Sequence, residues 1–75
     1  MSYDITINGQ LGFYFIQGDT KRGMRWLKRN VDGVGEWGGV PCDDTRLTQD
    51  IADGALDDGL KVRVNGKRYS VGRVA

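Results

Sequence analysis

Seventy-five residues, 39% hydrophobic and 28% charged, have the composition of a globular domain and not of a disordered chain. A chain this short buries only about 60% of the surface its unfolded form exposes, so it is read as one domain, residues 1–75, with an economical core. No apolar run approaches the ~20 residues a membrane span requires, and "MSYDITING" lacks the basic and apolar stretches of a secretory leader.

The formal net charge of +1 conceals strong sorting along the chain. Residues 1–19 carry two acids and no base. Residues 20–31 carry Lys21, Arg22, Arg25, Lys28 and Arg29 without an acid. Residues 32–58 hold eight acids against Arg46, and residues 59–75 hold Lys61, Arg63, Lys67, Arg68 and Arg73 without an acid. Blocks of this kind either meet charged partners or neutralise one another within the fold.

In chain order, "YDITI" and "LGFYFI" are aromatic and β-branched runs flanking "NGQ", which predicts a hairpin. A three-residue loop at Asn8–Gln10 gathers Tyr3, Ile5, Leu11, Phe13 and Phe15 on one face, because side chains alternate with period two. A first helix follows, capped by Asp19 or Thr20. Its core stripe is Thr20, Gly23, Met24, Leu27 and Val31, with the five cations fanned across the other side and Trp26 at the border. Gly23 weakens such a helix by roughly 1 kcal/mol relative to alanine, which suggests a close approach to another backbone. The segment "DGVGEWGGVPC", with four glycines and Pro41, reads as irregular chain or a short edge strand.

A second helix is expected from Asp43 or Asp44 to Asp58, ended by Gly59. Its apolar side carries Leu47, Ile51, Ala52, Ala55 and Leu56, and Asp50, Asp53 and Asp57 form an acidic row. Asp57 and Asp58 stand where the helix dipole disfavours negative charge, which calls for a nearby cation or an acidic surface with a purpose. Finally "LKVRV-NG-KRYSV" predicts a hairpin with a two-residue Asn65–Gly66 turn. Leu60, Val62, Val64, Tyr69 and Val71 then face the core, and Arg63 lies opposite Arg68 on the outer face. The expected fold is α+β: an antiparallel sheet of two terminal hairpins, with two helices packed on one face.

Chemistry is poorly provided for. There is no histidine, so the lone Cys42 lacks the commonest base partner. One cysteine cannot form an internal disulfide, which suits a reducing, cytoplasmic setting. The aspartate pairs do not have the spacing of a calcium loop, and helix capping accounts for them. Gly33–Gly38 spells G-x-G-x-x-G, but a helix precedes it where a dinucleotide fold needs a strand. The expectation is therefore a protein that is not an enzyme, with no cofactor, no metal and no membrane partner.

Two binding readings remain. A protein partner can dock on segregated faces, basic through Lys21, Arg22, Arg25, Trp26, Lys28, Arg29, Lys61, Arg63 and Arg68, acidic through Asp50, Asp53 and Asp57. Trp37, alone in its glycine-rich segment, is the candidate anchor. Alternatively helix 20–31 grips nucleic-acid phosphates while Trp26 stacks on a base. The charge map, bipolar rather than uniformly basic, favours the protein partner.

The pattern formed by Asp19, Thr20, Gly23, Trp26, Leu27, Asn30 and Val31, followed by the helix Ile51–Leu60, resembles small accessory proteins carried by phages and plasmids. That resemblance covers most of residues 11–60. It implies no catalytic residue. It implies instead a stoichiometric binder of a host factor or of nucleic acid.

Overall fold

The computed structural model describes residues 3–70. Its elements are β1 (Ile5–Gln10), β2 (Phe13–Gly18), α1 (Lys21–Asn30), β3 (Gly39–Cys42), α2 (Thr45–Asp57), β4 (Val62–Val64) and β5 (Lys67–Arg68). They form one five-stranded sheet in the order β3-β2-β1-β4-β5 with two helices, a small α+β domain. The sheet is mixed and not antiparallel throughout: β1 runs parallel to β4, with Ile5, Thr6 and Ile7 beside Val62, Arg63 and Val64. Val71, expected on the core face, lies outside the described residues.

The first hairpin turns elsewhere than "NGQ". Gln10 pairs with Phe13, so the loop is Leu11–Gly12, and Asn8 and Gly9 lie inside β1 opposite Phe15 and Tyr14. Both loop residues take positive φ, 53° and 85°, the backbone of the tight turn whose twist matches its strands. Gly9 is demanded by its neighbour and not by a turn: a Cβ there would lie 2.6 Å from the Tyr14 Cα. The altered register reverses the aromatic residues. Ile5, Ile7 and Ile16 are buried, whereas Phe13 is 74% exposed, Phe15 faces outward and Leu11 sits at the tip of the turn.

Two caps start the helices. The Thr20 hydroxyl accepts from the Gly23 N–H at 3.0 Å, and the Asp44 carboxylate accepts from the Leu47 N–H at 3.0 Å. α2 ends in a pair of bonds, Leu60 N–H to Ala55 carbonyl and Gly59 N–H to Leu56 carbonyl, that satisfy its last free carbonyls. Gly23 has the close approach its position suggests, because a Cβ would fall 1.9 Å from the Asp4 carbonyl oxygen.

Leu27 of α1 and Ile51, Ala52 and Ala55 of α2 join Ile5, Ile7, Ile16, Val40, Leu60, Val62 and Tyr69 in the core. Each fully buried large aliphatic side chain contributes about 1.5–3 kcal/mol relative to exposure. Leu47, expected on the buried stripe of α2, is instead exposed, and Thr48 takes the inward position. The Thr48 hydroxyl is satisfied by donating to the Asp44 carbonyl at 2.8 Å.

Asp4 ties three segments together. Its carboxylate accepts from the Thr20 hydroxyl at 2.8 Å and from the Lys61 backbone N–H at 3.0 Å. The Lys61 amide bond is the main reason its pKa lies below the usual aspartate value, helped by Thr20 and the charges of Arg22 and Lys61 against the opposing effect of burial. The C-terminal hairpin turns at Asn65–Gly66, φ 49° and 82°, and Arg63 stands opposite Arg68 as its spacing predicts.

Candidate functional site

A helical stripe recurs at i, i+3, i+4 and i+7, and in α1 these positions are Arg22, Arg25, Trp26 and Arg29. The fold turns that stripe toward the C-terminal end of α2. The four side chains, with Asp58 and Leu60, line an open cleft of about 420 Å³. Its floor is built by Trp26. The indole packs over Gly54, where a Cβ would sit 3.5 Å from the ring, and its N–H donates to the Asp58 carboxylate at 2.6 Å. Asp58 is a residue the helix dipole disfavours, and Arg22, Arg25 and Arg29 line the same cleft.

The arginines are exposed, and only part of their hydrogen-bonding capacity is used internally. Arg22 donates to the Gly59 carbonyl at 3.2 Å. The two lysines of the same run are placed elsewhere: Lys21 is exposed off the stripe, and Lys28 reaches the Glu36 carbonyl at 3.5 Å. The structure thus divides the five cations of α1, grouping the three guanidinium groups with Trp26.

The other candidate residues are not gathered there. Arg63 shares its side of the sheet with Thr6, to which it donates at 3.2 Å, and its guanidinium lies 5.2 Å from the centre of the Tyr3 ring. Arg68 is its cross-strand partner on that side. The helices cover the opposite side, that of Ile5, Ile7 and Val62. Arg63 and the α1 cleft therefore lie on opposite sides of the sheet, whereas Arg68, on the edge strand, also lines a second open cleft with Leu56, Gly59, Leu60 and Lys61 that shares Leu60 with the first. Lys61 is exposed where the chain enters β4.

The acidic row is also divided. Asp50 and Asp57 are exposed, while Asp53 is half-buried and accepts from the Tyr69 hydroxyl at 2.6 Å. Among the described residues, no group of three or more His, Cys, Asp or Glu side chains is placed to hold a metal ion. Nor is any described helix long and apolar enough to cross a membrane.

Sequence reasoning places Phe13 and Phe15 in the core, and the structure sets both outside it. Phe15 stacks on Trp37, with ring centres 5.3 Å apart and planes within 7°. Trp37 is 61% exposed. Its signal in the sequence is the glycine pattern around it: Gly35 and Gly39 leave the space that the indole fills, a Cβ on Gly39 falling 2.2 Å from the ring.

No family model, no curated protein and no solved structure matches this chain.

Proposed function

We propose that the chain is a small non-catalytic binding module that docks an acidic segment of a protein partner on the arginine stripe of α1. The observation that carries this reading is the cleft lined by Arg22, Arg25, Arg29, Trp26 and Asp58. Three planar guanidinium groups can each fork onto a carboxylate, and Trp26 supplies a rigid apolar floor.

Asp58 favours a protein over a nucleic-acid backbone. It places an acceptor among the donors, which suits a peptide carrying both carboxylates and N–H groups. A phosphate chain offers acceptors only and would be repelled by that carboxylate. Trp26 is also engaged below with Gly54 and at its N–H with Asp58, so its use as a free stacking platform is reduced. With the resemblance to mobile-element accessory proteins, the partner class is an acidic surface on a host factor. Asp50 and Asp57 form a separate, weaker candidate contact.

The test is affinity capture from host lysate with the parent and the Arg25→Glu/Arg29→Glu variant, after circular dichroism has shown that both fold. A partner retained by the parent, lost by the variant and recovered in direct titration with the purified partner supports the reading. Identical capture and equal affinity for both proteins would overturn it.

A further inference from the structure

The side of the sheet away from the helices carries exposed aromatic rings and a pair of opposed arginines. On β2 and the loop before β3 stand Phe13, Phe15 and Trp37, all exposed. Across β1, Arg63 on β4 stands two strands from β2, about 10 Å at the usual strand spacing, and Arg68 on β5 stands one strand further. Proline 41 pairs with Phe15 on the edge strand and continues the apolar half.

The placement of Trp37 is built and not incidental. The chain closes a tight turn over 35–38 with the Gly38 N–H donating to the Gly35 carbonyl at 2.9 Å, and the Gly35 N–H donating to the Gly39 carbonyl at 2.9 Å. Gln17 donates to the Trp37 carbonyl at 3.1 Å. With Gly39 bare beneath it and Phe15 stacked against it, the indole has little freedom to fold away. An exposed ring held this firmly binds without a large loss of rotamer freedom. Burying Trp37 in the core would have required no such seat.

The arginines add a second requirement. Arg63 and Arg68 face each other directly, an arrangement of like charges that a covering anion would relieve. Arg63 is also held by Thr6 and Tyr3, and the Asp19 carboxylate accepts from the Thr6 hydroxyl on the same side. Phe15 and Trp37 each turn one face to the other, and what they leave exposed, with Phe13 and the paired cations, matches unpaired bases joined by phosphates. Bases stack on aromatic rings whatever their identity, and guanidinium groups take the backbone charge.

We infer that the open sheet face, through Trp37, Phe13, Phe15, Arg63 and Arg68, binds single-stranded nucleic acid. This site is independent of the α1 cleft and lies on the other side of the sheet. Charge complementarity chooses this occupant over a second copy of the chain, because a self-complementary interface would set the Arg63–Arg68 pairs of two copies on one surface.

The test is fluorescence anisotropy of labelled short oligothymidylate, short oligouridylate and a mixed-sequence duplex, at low and at physiological salt. The parent should bind the single strands more tightly than the duplex, whose bases are already stacked. Trp37→Ala should weaken single-strand binding by about tenfold or more, the loss of one stacked base. Arg68→Glu, at an exposed position, should weaken binding and flatten its salt dependence by about one phosphate contact. Arg25→Glu/Arg29→Glu should leave single-strand binding within about twofold of the parent while losing the protein partner, since distant sites act nearly independently. Preference for thymidylate or uridylate would identify the strand as DNA or RNA. Equal affinity for duplex and single strand, parental affinity in Trp37→Ala, or no saturable binding at physiological salt would each overturn the inference.

Discussion

The two tryptophans have opposite fates. Trp26 sits within a run of cations and is half-buried, its ring over Gly54 and its N–H held by Asp58. Trp37 sits in a glycine-rich segment that offers nothing to shield it, and it remains mostly exposed with Phe15 as its stacked neighbour. Trp26 joins the two helices. Trp37 is carried by the fold and gives little back. The difference shows that charged neighbours in sequence do not predict exposure, because on a helix the angular position decides which side chains share water.

Substitutions should separate the two roles. The largest effect is expected from Trp26→Ala, which removes the contact with α2 and leaves Asp58 among cations without its indole donor. A loss of about 3 kcal/mol in urea unfolding is expected for truncating a packed tryptophan. Trp37→Ala should cost no more than about 1 kcal/mol in the same measurement, the scale of one aromatic pair. Equal losses would mean that Trp37 is as structural as Trp26.

The glycines beneath the rings sharpen the contrast. Gly54→Ala adds a methyl at ordinary van der Waals distance from Trp26, inside a helix where glycine is unfavourable. It should therefore stabilise the protein by roughly 0.5–1 kcal/mol. Gly39→Ala places its methyl inside the Trp37 ring. The indole must leave its seat, and its fluorescence emission should shift to the red with the fold retained.

The smallest effect should come from Asp4, which anchors the start of α1. Its pKa is depressed in the folded state, so its contribution is present above the unfolded aspartate value, about 3.9, and is lost as pH falls through the lower folded value. The stability advantage of the parent over Asp4→Asn should thus be full at neutral pH and vanish in strong acid. An advantage that persists in acid would show that the hydrogen bonds act without the charge.

Local signals in the sequence were the readable ones. Both helices, the cap pairs Asp19/Thr20 and Asp43/Asp44 from which the structure uses Thr20 and Asp44, the stop at Gly59 and the Asn65–Gly66 turn all rest on residues within a few positions of each other. The first hairpin departs from its local signal: Asn8–Gly9 is the stronger turn sequence, yet the chain turns at Leu11–Gly12. Gly9 answers instead to the backbone of Tyr14, a contact that no local pattern announces. That one displacement turned Phe13 and Phe15 outward and hid the aromatic half of the open sheet face. The sequence fans all five cations across one side of α1 with Trp26 at the border; what singles out Arg22, Arg25 and Arg29 around Trp26 is Asp58, 32 residues from Trp26. The parallel pairing of β1 with β4 was invisible for the same reason.

That pairing also governs when the fold can form. β1 is the central strand, yet one of its two neighbours is β2, adjacent in sequence, and the other is β4, with Thr6 and Arg63 separated by 57 positions. The Asn65 side chain extends the seam by bonding both the N–H and the carbonyl of Gly9, each at 2.9 Å. During synthesis the first hairpin and both helices emerge before the strand that completes the sheet. Closing so long a loop precedes the contacts that reward it, so folding should be slow for a chain of this size and should finish only once the C-terminal hairpin has been made.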